Sequence, residues 1–297
     1  MTTVPSAEPA RPVPPLFDRL VDDTRLLAPR AAAVSVETVV TEHLAAREGP
    51  HGGLVGQLVC PLSQLPPLVR ELARRAPARP VDVSLVVNTG LGAVPKALST
   101  VFSRSGLITP RTIETVAPVD VDAVWLERVA EFVPEDVVAV VEPLRPVGAD
   151  EAERAAWLDA VRRVSVHGCT PKLRCGGARA SDVPSVAEVA RFVEAIVEVR
   201  GAFVTLGLHP AGGSAGGAHR YGVLNLLVAT ARAQWRGDVE GALAETDGAV
   251  LAAEARALDP AHVTGVRALL ARCGTDADRA AAAELAALGL LESGRAG

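Results

Sequence analysis

At 297 residues with 49% hydrophobic content, the chain can bury one large core or two modest ones, and an α/β barrel commonly reaches this size as a single domain. A net charge of −5 and an aromatic content of 3% argue against a nucleic-acid partner, which needs a basic stripe and rings to stack on bases. No apolar run approaches the roughly 20 residues needed to cross a bilayer, so a cytoplasmic protein working on a small molecule is expected, with no membrane partner.

Met1 to Pro15 is rich in Pro and small residues and lacks the basic start and apolar stretch of a secretory signal, so residues 1–15 are expected to be a disordered tail. Residues 16–297 read as one barrel-like domain. From Leu16 to about Arg47 the spacing of Leu16, Leu20, Val21, Leu26 and Leu27, then Val36, Val39, Val40 and Leu44, predicts amphipathic helices interrupted at Pro29. Leu54 to Cys60 reads as a strand stopped by Pro61, with a helix from Leu65 to Ala73. The unit repeats. Val83–Val87 precedes a helix over Val94–Phe102, Thr112–Val116 one over Ala123–Phe132, and Val137–Val141 one over Glu151–Val164. Val166–Leu173 then leads to Ser185–Val199, and Ala202–Leu208 to Tyr221–Trp235. Val239 to Glu292 is mainly Ala- and Leu-rich helix, with Val263–Leu270 as a candidate for another strand.

Apolar strands alternating with amphipathic helices imply a parallel sheet covered by helices on its faces, because parallel neighbours need a crossover. Only six units are visible. A (β/α) barrel-like sheet, incomplete or irregularly closed, is therefore expected, with an open doubly wound sheet as the alternative. In both, ligands bind where the strands end.

Cys60, Cys169, Cys175 and Cys273 form no C-x-x-C pair and read as reduced thiols, and neither a metal nor a cofactor is implied. The glycine string Gly212-Gly213-Ser214-Ala215-Gly216 lies too far from its strand for a nucleophile elbow. Gly90-Leu91-Gly92-Ala93-Val94-Pro95 begins like a dinucleotide fingerprint, but Pro95 stands in place of its third glycine.

Of 30 basic side chains only Lys96 and Lys172 are lysines. Lys172 sits at a strand end in Lys172-Leu173-Arg174-Cys175-Gly176-Gly177, and an ammonium can lose a proton where a guanidinium cannot. Lys172 and Arg174 are two apart, so they share a face of the sheet. Turned inward they make a cationic pocket, with Gly176 and Gly177 letting backbone amides approach an anion. Paired instead with Glu114 or Glu142, they make a structural ion network. Glu142 and Glu114 are each placed to act as a general base, to orient Lys172 or simply to neutralise it. Asn88 and Arg145 also fall at strand ends. His209 ends a strand and opens the loop containing His219. Two histidines suit proton transfer or ligand contact, and no third residue has metal-ligand spacing.

Lys172-Leu173-Arg174-Cys175-Gly176-Gly177, Val183-Pro184-Ser185, Gly207-Leu208-His209-Pro210 and Gly222-Val223-Leu224-Asn225 together resemble an uncharacterised bacterial family. Its motifs are K-x-R-x-G-G, F-P-S, G-L-H-H-P and H-G-F-L-N, in the same order and over about a third of the chain, Val137 to Ala231. The resemblance implies a barrel-like fold and carries over Lys172, Arg174, Gly176, Gly177, His209 and Asn225, without naming an activity. The family's second lysine falls at Phe203 or Val204, its double histidine is reduced to His209, and Tyr221 stands where it has histidine, with His219 nearby. This chain thus reads as a divergent member with altered or lost activity.

The leading expectation is an enzyme of lyase, aldolase or isomerase type acting on a phosphorylated or carboxylated metabolite. Lys172, Glu142 and His209 would carry the chemistry, and Arg174, Gly176, Gly177, Glu114, Asn88, His219 and Asn225 would bind. The alternative is a non-catalytic anion-binding or regulatory protein derived from such an enzyme. A homo-oligomer stays open.

Overall fold

The structure, a computed structural model, describes residues 12–28, 32–148, 150–176, 180–209 and 221–292. Eight parallel strands follow one another around a closed barrel: β1 (Val21–Asp23), β2 (Val55–Pro61), β3 (Val81–Val86), β4 (Ile108–Val116), β5 (Val138–Glu142), β6 (Thr170–Arg174), β7 (Phe203–Leu206) and β8 (Leu270–Thr275). The ring closes through β1, which pairs with β2 on one side and β8 on the other. Six crossovers carry single α-helices: α1 (Val36–Glu48), α2 (Leu65–Arg75), α3 (Val94–Phe102), α4 (Ala123–Glu131), α5 (Glu151–Val166) and α6 (Val186–Val199). Among the described residues, the crossover from β7 to β8 carries four, α7 (Val223–Gln234), α8 (Val239–Ala244), α9 (Gly248–Ala257) and α10 (Pro260–Leu269), and α11 (Asp278–Ala287) follows the last strand.

The barrel is therefore complete, and the open sheet is excluded by the β1–β8 pairing. Two strands differ from the sequence expectation. Val21–Asp23 lies inside a stretch read as helical, because three residues are too few to display alternation and their strand state is set by neighbours on both sides. The eighth strand is Leu270–Thr275. Most of the segment expected to supply it, Val263–Leu269, belongs to α10, which Asp259 caps by accepting from the His262 amide at 2.8 Å, with Pro260 in its first turn. Val166, read as strand, is the last residue of α5, and β6 begins at Thr170 after Gly168 turns the chain at φ +76°. Within the segment expected to be a tail, Val13 packs against the core.

Outward-facing strand residues form the hydrophobic layer under the helices: Leu58, Cys60, Val83, Leu85, Ile113, Val141, Leu173, Phe203 and Cys273 are all buried. Phe203 meets Phe192 of α6 edge-on at 5.6 Å, and Phe192 stacks on Trp157 of α5 at 5.9 Å. Capping boxes fix where these two helices start. Asp150 and Glu153 exchange side-chain bonds with each other's amides at 2.9 and 3.0 Å on α5, and Ser185 and Glu188 do so at 3.2 and 2.7 Å on α6. Both helices begin on the side of the barrel where β5 and β6 end. All four cysteines are buried and free. Among the described residues, no helix is long and apolar enough to cross a membrane.

Candidate functional site at the barrel mouth

In a closed barrel with helices outside, successive strand residues alternate between the interior and the helix layer, so register tells which polar residues face inward. Register places Lys172 beside Val204 and Val204 beside Arg272, so all three share the inner face. Bonds that skip a strand run across that interior. Lys172 Nζ of β6 donates to Glu114 Oε2 of β4, and Thr112 Oγ1 of β4 donates to Gln57 Oε1 of β2 at 2.9 Å. Ser84 Oγ donates to the other Glu114 oxygen. Glu142 accepts both Nε and Nη2 of Arg174, at 2.8 and 2.9 Å, and its Oε2 lies 3.9 Å from Lys172 Nζ. Asp22 accepts Arg272 Nε at 2.9 Å and the Gln57 amide at 2.7 Å.

Three carboxylates, Asp22, Glu114 and Glu142, thus face three cations, Lys172, Arg174 and Arg272. Lys172 and Arg174 share one face, as their spacing required, but each is matched by a carboxylate, so the pair is an ion network and not a bare cationic pocket. Their exposure separates them. The Lys172 side chain is 5% exposed and that of Arg174 46%, so the guanidinium is the part of the network that meets solvent at the mouth. Its Nη1 has no hydrogen bond within the described residues.

Burial works against the Glu114 carboxylate, yet Lys172 and the Ser84 hydroxyl overcome it and hold Glu114 below the usual carboxylate range. Burial would also depress Arg174, and its two bonds to Glu142 instead raise it. Asp22 goes the other way, because desolvation outweighs Arg272 and the Gln57 amide and pushes it up to about 6 from 3.8. A carboxyl that holds its proton more tightly in the folded state contributes its stability in full below the unfolded value and loses it as pH rises through about 6. Between pH 4 and 7 this loss is expected to reach about 2 kcal/mol. Urea titrations of the wild type and Asp22→Asn across that range should show a steeper loss with rising pH in the wild type; equal slopes would place the Asp22 carboxyl in water.

The remaining expected site residues are spread along the rim. Asn88 tethers the loop after β3 to the turn after β2, accepting the Ser63 amide at 3.1 Å and donating to its hydroxyl at 2.7 Å. Arg145 bridges to Glu188 at 3.0 Å, linking the loop after β5 to α6. His209 follows β7, with its amide donating to the Tyr221 carbonyl at 2.9 Å. Gly176 stands against Gly207 so closely that a Cβ on Gly176 would lie 2.3 Å from the Gly207 carbonyl oxygen, which accounts for this glycine by backbone contact. Asn225 is buried and used by the fold. Its Oδ1 caps α7 through the Gly222 amide at 3.0 Å, and its Nδ2 bonds the carbonyls of Ala242 at 3.0 Å and Glu245 at 2.8 Å, so the ligand contact expected of it meets an amide already occupied. Tyr221 is likewise buried, donating to the Pro184 carbonyl at 2.8 Å. Gly177 and His219 lie outside the described residues, as does the Gly212–Gly216 string.

Ser84, Gln57, Thr112, Asp22 and Arg272 were not singled out in the sequence. Ser84, Gln57 and Arg272 are polar residues among apolar strand neighbours, whereas Asp22 and Thr112 sit beside other polar residues, and none carries a direction until a register aligns the strands. A second buried cluster lies outside the ring. Asp23, at the end of β1, accepts Arg25 at 2.9 and 2.7 Å and lies 3.5 Å from His43 Nδ1 of α1; Arg25 and His43 together outweigh its burial and hold it at about 2. Among the described residues, no group of three or more His, Cys, Asp or Glu side chains could hold a metal.

Fold and site together define a (β/α)8 barrel with a buried, charge-compensated network that opens at the strand C-termini, an architecture consistent with a small-molecule enzyme. No protein-family model matches the chain, and no curated protein matches it. Among solved structures it is similar to a dihydropteroate synthase from Xanthomonas albilineans in complex with 7,8-dihydropteroate, at 13% identity and a TM-score of 0.44, over 94% of this chain and 95% of that one.

Proposed function

We propose that the barrel mouth is the active site of a small-molecule enzyme of lyase or isomerase type. Arg174 receives the anionic group of a carboxylated or phosphorylated substrate, and Lys172 and Glu114 move a proton at the carbon beside it. The observation that carries this is the buried Lys172 Nζ, bonded to Glu114 with Glu142 3.9 Å away and a half-exposed guanidinium above it. An ammonium between two carboxylates is a stored proton. Amine chemistry, with Lys172 as a Schiff-base nucleophile, first requires that proton to leave, whereas acid–base chemistry uses it directly. His209, on the rim after β7, is the candidate for a second proton transfer.

A second reading, a binding protein descended from such an enzyme, is favoured by β7. Its inward residues are Val204 and Leu206, so the strand where the resembled family has a second lysine brings no polar group to the interior. Phosphorylated and carboxylated metabolites screened by thermal shift would find a ligand, and mass spectrometry of that ligand after incubation in D2O would separate the readings. The enzyme reading expects deuterium uptake or turnover with the wild type. Lys172→Arg, which keeps the charge but cannot give up its proton, should retain the thermal shift and lose exchange by about 100-fold or more. A stabilising ligand recovered unlabelled and unchanged supports the second reading. Borohydride-trapped mass on Lys172 with a carbonyl ligand would instead establish the amine route.

A further inference from the structure

The lip of the mouth beside Arg174 is apolar. Val116, the last residue of β4, pairs in register with Glu142 and is exposed. It continues the inward row of Thr112 and Glu114. Leu144, two residues past Glu142, is also exposed, and so are Val119 and Val147 on the loops that leave β4 and β5, Val119 to 90%. Single exposed apolar residues need no explanation, but Val116 at the end of β4 and Leu144 just past the end of the adjacent β5, with Val119 and Val147 farther along their loops, put four exposed apolar residues on this side of the mouth.

The Arg174–Glu142 pair beside this lip is built to exchange. Glu142 holds one edge of the guanidinium as a bidentate carboxylate, and if displaced it has Lys172 Nζ 3.9 Å away as its next partner. A ligand carboxylate would replace Glu142 charge for charge. Among the described residues, Lys172, Arg174 and Arg272 each already have a carboxylate, so a phosphate dianion would add more uncompensated charge beside Glu142 and Glu114 than a monoanion would.

We propose that the mouth binds a monocarboxylate with an apolar body, its carboxylate taking the place of Glu142 on Arg174 and its apolar part lying on Val116 and Leu144. This rests on the reading of the mouth as an anion site and narrows the class of anion. Calorimetric titration of the full chain with hexanoate, acetate and inorganic phosphate at fixed ionic strength tests it. Hexanoate should bind at least about tenfold more tightly than acetate or phosphate, as expected when part of its chain is buried. Val116→Ser with Leu144→Ser should erase that advantage, and Arg174→Gln should weaken hexanoate by about tenfold or more. Glu142→Gln should strengthen it, because the resident competitor loses its charge, a gain that a merely structural Glu142 would not give. If acetate and phosphate bind as tightly as hexanoate and all depend on Arg174, the anion site stands and this proposal is overturned. If none binds, both fall. If the serine variants change the mass of the chain in solution and leave hexanoate affinity intact, the lip is a contact between copies and the proposal is again overturned.

Discussion

Replacing Lys172 with methionine is expected to destabilise the protein by about 3–5 kcal/mol, measured as a shift in urea unfolding at pH 7. Methionine fills much of the same volume, so the loss is electrostatic. Among the described residues Glu114 would keep the Ser84 hydroxyl as its one side-chain hydrogen-bond donor, at a depth where water barely reaches, and Glu142 would lose the ammonium 3.9 Å away. Removing one partner of a buried pair is costly because the other charge stays behind; removing both is often nearly neutral. Lys172→Met combined with Glu114→Gln, which keeps an oxygen to accept from Ser84, should therefore recover most of the loss.

The pH dependence of the single variant should invert as well. In the wild type Glu114 sits below its ordinary range, so the stability it contributes is present above that range and lost as pH falls. Without Lys172, burial dominates and raises Glu114, so the variant's deficit should shrink on acidification. A loss below about 1 kcal/mol with no change in pH slope would mean that the pair is hydrated and that the interior is not the low-dielectric site on which proton transfer depends.

Gly176→Ala is expected to cost about 2–3 kcal/mol and to disturb the mouth, because the added methyl meets main chain and not a side chain that could rotate away. Its Cβ would stand 2.3 Å from the Gly207 oxygen, and the reciprocal Cβ on Gly207 would lie 2.9 Å from the Gly176 nitrogen and oxygen. Gly207 also has φ +79°, so alanine there adds backbone strain to the clash. The two strand ends are joined just before this contact by the Cys175 amide on the Leu206 carbonyl at 2.7 Å, one residue after Arg174. Forcing them apart should tilt Arg174 off Glu142. Thermal denaturation together with any Arg174-dependent ligand affinity checks this. Both should fall, Gly207→Ala should do the same, and the double variant should cost less than the two single variants added, because one separation relieves both clashes. Wild-type stability in Gly176→Ala would mean that β6 and β7 can part freely, and the glycine would then need a ligand-based explanation.

Six of the eight strands were legible because each is a short segment of apolar and β-branched residues followed by a helix-spaced pattern, and periodicity is a local property. β1 and β8 were hidden for the same reason. Val21–Asp23 is three residues long, two of them acidic, and Leu270–Thr275 carries Arg272 and Gly274 among its apolar residues. Lys172, Arg174, Glu114 and Glu142 stood out as ionisable residues at the ends of apolar strands, and the structure does bring them together. It gives Asn225 and Tyr221 over to bonds within the fold; the cap of Asn225 on the Gly222 amide is local, but the carbonyls that take up the Asn225 Nδ2 and the Tyr221 hydroxyl lie 17 to 37 residues away along the chain, beyond what the Gly222-Val223-Leu224-Asn225 string can show.

The sequence by itself determined the repeating strand–helix order, the face shared by Lys172 and Arg174 and the end of the sheet where they lie, because alternation and helical period are written in neighbouring residues. Only the tertiary structure decided that the ring closes and that each cation has its own carboxylate. It also decided that Asp22, Ser84, Gln57 and Arg272 belong to the same interior. Those facts depend on the register between strands far apart in the chain, and a shift of one residue would turn every one of these side chains outward into the helices.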